Sequence, residues 1–204
     1  MSPAGTMARV YQALKARVMA GAFAPGERID PARLAPELAA SVTPIRDALH
    51  RLAGERLVEN WSQEGFRQPL VTETGLRYLY GWSEDLVRLV LRAGERDRTS
   101  LNWSGLDLEP SYAGATAALF ESLAGLSASA EHRAAMGSLN DRLHLARLHE
   151  PAVVPDAEAD LRLIGFAASA GDWGQARRAV GQYHSARSRR VPDLAALLLA
   201  RSTR

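Results

Sequence analysis

"SVTPIRDALHRLAGERL" runs from Ser41 to Leu57, and its reading decides the N-terminal fold. Ser41 or Thr43 can cap a helix, with Pro44 in the first turn, where a missing N–H leaves no bond unmade. Ile45, Ala48, Leu49 and Leu52 then recur at i, i+3, i+4 and i+7, the signature of one buried stripe. Thr43, Arg46, Asp47 and His50 therefore lie on the opposite face. The helix closes near Gly54.

Working outward, a first helix is expected over 6–20, with Val10, Leu14 and Val18 on one face and Gly21 as its stop. Pro25-Gly26 marks a turn. Asp30-Pro31 opens a short second helix that buries Leu34 and Leu38. After the third helix, "RLVENWSQEGFRQPLV" (56–71) reads as two extended runs around the turn Ser62-Gln63-Glu64-Gly65, a β-hairpin. Beyond Thr72 the strand signal disappears. Thr72 can cap a long helix to about Glu95, with Leu76, Leu79, Leu86 and Leu89 among its apolar positions. "DRTSLNWSGLDLEPS" (97–111) is the linker candidate. Further helices are expected at 112–126, 129–149, 156–170, 173–188 and 192–201, punctuated by Pro151, Pro155, Gly171-Asp172 and Pro192. The expected fold is mainly α: an N-terminal winged helix-turn-helix (three helices plus a β-hairpin wing, 1–71) followed by an all-α helical bundle (72–204).

Composition narrows the function classes. The chain has 204 residues, 47% of them hydrophobic, and a formal net charge of +2. Residues 1–70 hold nine Arg/Lys against seven Asp/Glu, and the remainder balances, so net charge alone does not argue for a nucleic-acid partner. There is no cysteine, which removes disulfides, thiolate metal sites and thiol nucleophiles. The N-terminal stretch has no apolar h-region and no run approaches a membrane span, so a cytoplasmic protein with no membrane partner is expected. No nucleophile motif, Gly-rich phosphate loop or paired carboxylates stand out, so an enzyme is not expected.

At these residues the sequence resembles the DNA-binding half of the GntR family of bacterial transcription regulators. The resemblance rests on Gly21, Pro25, Gly26, Ser41, Thr43, Pro44, Arg46, Ala48, Leu49, Leu52, Leu57, Val58, Gly65 and Phe66, over about 60 residues. The long helix after the wing and "SAGDWGQARRAV" (169–180) are similar to the helical effector domain of the family's fatty-acid-regulator branch. The resemblance implies a dimer on double-stranded operator DNA, with a small-molecule effector in the helical half. A recognition helix in the major groove would place Arg46 on guanine, with His50 one turn along the same face. Ser41, Thr43 and Arg33 are phosphate candidates, and Gly65 and Arg67 belong to a wing beside the minor groove.

Three departures stand out. Val42 stands where many relatives carry a DNA-reaching arginine, and Ala39-Ala40 replaces a glycine-valine pair. Relatives also hold a divalent metal through one aspartate and three histidines. Aligned positions here carry Ala117 and Glu121, then Leu161 and Tyr183, with His184 one residue off register. No metal or other cofactor is therefore expected. His132, His144 and His149 lack the i, i+3 or i+4 spacing of metal-ligand pairs and are expected to be surface or locally bonded. "ARSRR" (186–190) is expected to solvate a helix end. Tyr78, Tyr80, Trp82 and Trp103 are candidate pocket or interface aromatics, although a tryptophan on a long helix is more often core. The competing reading is a winged-helix module that docks a protein partner and ignores DNA.

Overall fold

The computed structural model describes residues 3–97, 101 and 111–200. They divide into two compact units, one of residues up to 71 with 199–200, the other within 72–198. The expected linker, including Trp103, lies largely outside the described residues.

In the first unit, α1 (Pro3–Met19), α2 (Pro31–Glu37) and α3 (Val42–Gly54) surround one apolar cluster. Val10, Leu14 and Val18 of α1, Leu34 of α2 and the Ile45/Ala48/Leu49/Leu52 stripe of α3 are all buried in it, as their spacing predicts. Burying each large aliphatic side chain contributes about 1.5–3 kcal/mol, which is why the stripe orients α3. Asp30 caps α2 by accepting from the Ala32 N–H at 2.9 Å.

The wing is the expected hairpin with one strand added. β2 (Glu59–Trp61) and β3 (Gly65–Arg67) pair antiparallel, but a third strand, β1 (Arg28–Ile29), pairs with the other edge of β3. Two residues are too few for a period-2 pattern to be read. The pairing shows only when Ile29 is placed opposite Phe66, with both side chains in the core. Gly65 takes φ +83°, and a Cβ there would meet nothing, so the glycine answers backbone conformation rather than crowding.

The second unit contains α4 (Glu73–Asp97), α5 (Tyr112–Gly125), α6 (Ala130–Val153), α7 (Ala157–Ser169) and α8 (Trp173–Ala200). Thr72 caps α4 as expected, its Oγ1 accepting from the Gly75 N–H at 3.0 Å. Of the apolar positions on α4, Leu76 and Leu86 are buried and Leu89 is exposed. Two helix boundaries differ from expectation. The helix expected to end at 149 runs through Pro151 to Val153. The helices expected at 173–188 and 192–201 are one, with Pro192 inside it. Proline should orphan the carbonyl four residues earlier. That carbonyl, Ser188 O, instead accepts from the Arg77 guanidinium of α4 at 3.0 Å. A cross-helix donor thus replaces the missing backbone one.

The turn from α2 to α3 carries strain. Ala39, at a position where the resemblance implies glycine, has φ +46° and an exposed side chain. A Cβ in the left-handed region costs about 1–2 kcal/mol, partly offset by the greater chain entropy of glycine when unfolded. Ala39→Gly is expected to stabilise the protein by about 0.5–1 kcal/mol, a gain of roughly 2–3 °C in melting temperature measured by calorimetry. A lower melting temperature would refute the strain.

Candidate functional site

The first candidate surface is the open side of α3 and the wing. Ser41 is the N-cap residue of α3 but makes no side-chain cap bond. The reason is local: capping hydroxyls bond the N–H of the second or third helical residue, and the third is Pro44. The Ser41 hydroxyl and the first N–H groups of α3 are left available to an outside acceptor. Thr43 and Arg46 are exposed beside them. From α1, Arg9 donates to Leu38 O (2.8 Å) and Ala39 O (3.2 Å), which braces the turn that aims α3.

An open groove of about 430 Å³ separates α3 from the wing, lined among others by Arg28, Arg46, His50, Asn60 and Trp61. Arg28 and Arg46 are both exposed, and among the described residues neither has an ion-pair partner. Arg28 was not singled out from sequence, because its strand was not legible. Pairing with β3 brings it to the groove.

The other expected contact residues are placed differently. His50 lies on the expected face, but its ring packs edge-on against Phe66 (centroids 4.8 Å apart) and its Nδ1 accepts from Asn60 Nδ2 at 3.5 Å. It therefore ties α3 to the wing. Arg33 is exposed and pairs with Glu27 at 3.5 Å. Arg67 turns inward: it donates to Gly26 O (3.1 Å) and Glu64 Oε2 (2.8 Å), with its guanidinium 5.5 Å from the Trp61 ring centroid. Gly65 stands at the start of β3, beside that arginine's strand neighbours. Exposed Trp61, at the end of β2 before the turn, donates from Nε1 to Glu59 Oε2 at 2.8 Å.

The second candidate is the interior of the helical unit. Arg187 on α8, expected in a solvated basic stretch, is instead fully buried. All five of its N–H donors are used: Nε to Glu150 Oε2 (2.9 Å), Nη1 to Asp160 Oδ2 (2.6 Å) and Tyr183 O (3.0 Å), Nη2 to Tyr112 Oη (2.7 Å) and Ala157 O (3.2 Å). Glu150 of α6, equally buried, also accepts from Tyr80 Oη of α4 at 2.8 Å and Tyr112 Oη of α5 at 2.9 Å. All five helices of the unit meet in this network. Burial, then the neighbouring Glu150 charge, pushes the Tyr80 hydroxyl well above the ordinary phenol range, so it stays a donor.

Next to it, Asn140 Nδ2 donates to Ala117 O (3.2 Å) and Glu121 Oε1 (3.4 Å), and Arg147 Nη1 donates to Asn140 Oδ1 at 2.7 Å. Leu161 and Tyr183 are buried and supply no imidazole. Among the described residues no three His, Cys, Asp or Glu side chains converge as metal ligands. A cation here would face the Arg147 guanidinium, so this set does not fit the divalent metal that the resemblance implies. His184 is buried, its Nδ1 bonded to Val180 O (2.8 Å) and its Nε2 to Ser83 Oγ (3.0 Å). His132 is locally bonded, through Ser127 Oγ at 2.7 Å. Of the aromatics, Tyr80 is core, whereas Tyr78, Trp82 and Leu89 make an exposed apolar stripe on α4. Trp82 thus departs from the commoner core placement.

Residues 6–67 match the family described as "Bacterial regulatory proteins, gntR family". The chain is similar in structure to E. coli McbR/YncC (TM-score 0.67, 16% identity, 92% of this chain and 97% of that one). It is also similar to a putative transcriptional regulator GntR from Rhodococcus sp. RHA1 (0.62, 21%, 95% and 97%). A third is Lar, described as controlling expression of the Listeria monocytogenes agr system (0.57, 16%, 96% and 96%). At such identities these are likenesses of fold. No curated protein matches the chain in sequence.

The interior makes two predictions. Glu150→Gln leaves a buried guanidinium with one carboxylate fewer and is expected to cost about 3–5 kcal/mol in denaturant unfolding. Glu150→Leu with Arg187→Met should cost less than the two single changes added, and additive losses would sink the coupling. The second concerns acid. Burial, with Arg187 and Arg147 adding to it against the Val180 bond, lowers the His184 pKa to about 3. Between pH 6.5 and 3 the unfolded chain takes up a proton that the folded one refuses, so this stability is present above 6.5 and is lost progressively below it. The slope is about 1.4 kcal/mol per pH unit at most. Melts from pH 7 to 4.5 should show a shallower decline for His184→Gln than for wild type, and parallel declines would refute the assignment.

Proposed function

We propose that this chain, whose residues 6–67 are a gntR-family domain, is a sequence-specific DNA-binding transcriptional regulator. Its fold is that of GntR-type regulators, a winged helix-turn-helix followed by a helical bundle. The observation that carries the reading is the groove between α3 and the wing. Two exposed guanidiniums with no ion-pair partner among the described residues, Arg28 and Arg46, line it, and the uncapped start of α3 supplies Ser41 and Thr43. Arg46 reads guanine bidentately, and Val42 meets a thymine methyl where relatives place an arginine. Arg28, Ser41, Thr43 and Arg33 hold phosphates. Arg33 must leave Glu27 to do so, a weak exposed pair. His50, Gly65 and Arg67 form the wing's footing, with Arg67 shaping the hairpin from inside and reaching the minor groove only by giving up Glu64.

The protein acts as a homodimer, since paired half-sites one helical turn apart call for a two-fold protein. A small-molecule effector bound by the helical unit without a metal shifts the equilibrium between DNA-competent and incompetent arrangements, and the simplest output is repression by operator occupancy. No helix among the described residues is long and apolar enough to cross a membrane.

Fluorescence anisotropy on the DNA upstream of its own gene, backed by a random-sequence selection, tests the reading. Affinity should fall steeply with salt. Arg46→Ala should lose about 1–3 kcal/mol of preference over scrambled DNA. Arg28→Ala should weaken both DNAs alike and lower the salt slope by about one. A flat salt response together with a failed selection would overturn the proposal in favour of a protein-docking module.

A further inference from the structure

One face of α4 is left uncovered by the bundle. Tyr78, Gly81, Trp82, Asp85 and Leu89 are exposed, Tyr78 at 75%, whereas Tyr80, Val87 and Leu91 are buried on the opposite side. At 100° per residue the five exposed positions share an arc of about 100°. Two features set this face apart from scattered surface apolar residues. The first is Gly81. A Cβ there would meet nothing within 4 Å, and a glycine weakens a helix interior, so packing within one copy gives no reason for it. The second is a divided polar pair. Among the described residues neither Tyr78 nor Asp85 has a hydrogen-bond or ion-pair partner. They stand two turns apart on one line of the helix, about 10 Å, too far to meet each other.

We propose that two copies of the chain meet on this face, their α4 helices crossing antiparallel about a two-fold axis between Gly81 and Trp82. The bare backbone at Gly81 lets the helices approach closely. In that register position 78 of one copy lies opposite position 85 of the other. Tyr78 Oη then donates to the Asp85 carboxylate, and the symmetry makes the bond twice. The two Trp82 rings meet beside the axis, and Leu89 of each copy lies over Thr74 of the other. The face thus carries both a donor and its acceptor, at the spacing that a two-fold axis brings together. An unrelated partner would have to bring its own complement to each. Aromatic residues hold the centre, and the Glu73–Arg77 and Glu84–Arg88 ion pairs flank it, the apolar middle and polar rim of a protein interface. This rests on the reading of the chain as a homodimer and names the surface that forms it.

The test is sedimentation of the full chain without DNA over a concentration series. Wild type should be dimeric. Gly81→Leu fills space that is open on a single copy, so helix content by circular dichroism should hold while the dimer dissociation constant rises at least tenfold. Tyr78→Glu sets a carboxylate against Asp85 and should weaken the dimer similarly, and adding Asp85→Lys should restore it. The chain has no cysteine, so single cysteines report the register. Trp82→Cys should give a disulfide-linked dimer on mild oxidation. Arg92→Cys, about 30 Å from its counterpart in the antiparallel register, should not. A dimer indifferent to Gly81→Leu and Tyr78→Glu, or one that Arg92→Cys links as readily as Trp82→Cys, would overturn this surface and leave the homodimer reading standing. A monomeric wild type would overturn both and give the face to a foreign protein. With no DNA present, a failure of operator binding leaves each of these outcomes interpretable.

Discussion

A carboxylate and a guanidinium shut away from water impose a geometric demand on everything around them. Glu150 and Arg187 have no exposed side-chain surface, so each N–H and each lone pair has to find a partner inside the protein. Meeting that demand takes a tyrosine from α4, a tyrosine from α5, and a carboxylate and a backbone carbonyl from α7. The bundle's apolar stripes make helices pack, but many rotations of five helices bury similar area. The polar centre accepts few of them, because a small turn of any helix withdraws one of the five Arg187 acceptors or one of the Glu150 donors.

The same reasoning separates the two buried arginines. Arg187 is neutralised in place and belongs to the architecture. Arg147, seven residues along α6 from Asn140, is held by an amide that carries no charge. Where the resemblance implies a cation held by an acid and imidazoles, the Asn140 amide here sits between the Glu121 carboxylate and the Arg147 guanidinium.

In the N-terminal unit the controlling feature is smaller. Pro44 removes an N–H from the first turn of α3, so the Ser41 hydroxyl has no cap bond to make there, and the helix start stays open to an acceptor. Rigidity comes from elsewhere: Arg9 clamps the preceding turn, and the edge-on contact of His50 with Phe66 joins α3 to the wing. Surface residues that look equivalent in sequence thereby separate into contact and scaffold. Arg46 and Arg28 face the groove, while Arg67 is drawn inward to the Gly26 carbonyl.

The winged helix was legible because its signals are local. Periodic apolar residues, Asp30-Pro31, Pro44 and the wing's glycine each act within a few residues, and the Ile45/Ala48/Leu49/Leu52 stripe predicts its own burial. The helical character of the rest was legible for the same reason. What the sequence could not determine were pairings between residues far apart in the chain. β1 has two residues and becomes a strand only beside β3. Pro192 reads as a helix end until Arg77, 111 residues before the carbonyl it caps, supplies the missing donor. Arg187 reads as solvated among neighbouring arginines until Glu150 and Asp160 reach it. Propensity and periodicity report what a residue does to its neighbours along the chain. A buried charge or a bridged proline depends on a partner that only tertiary packing brings within hydrogen-bonding distance.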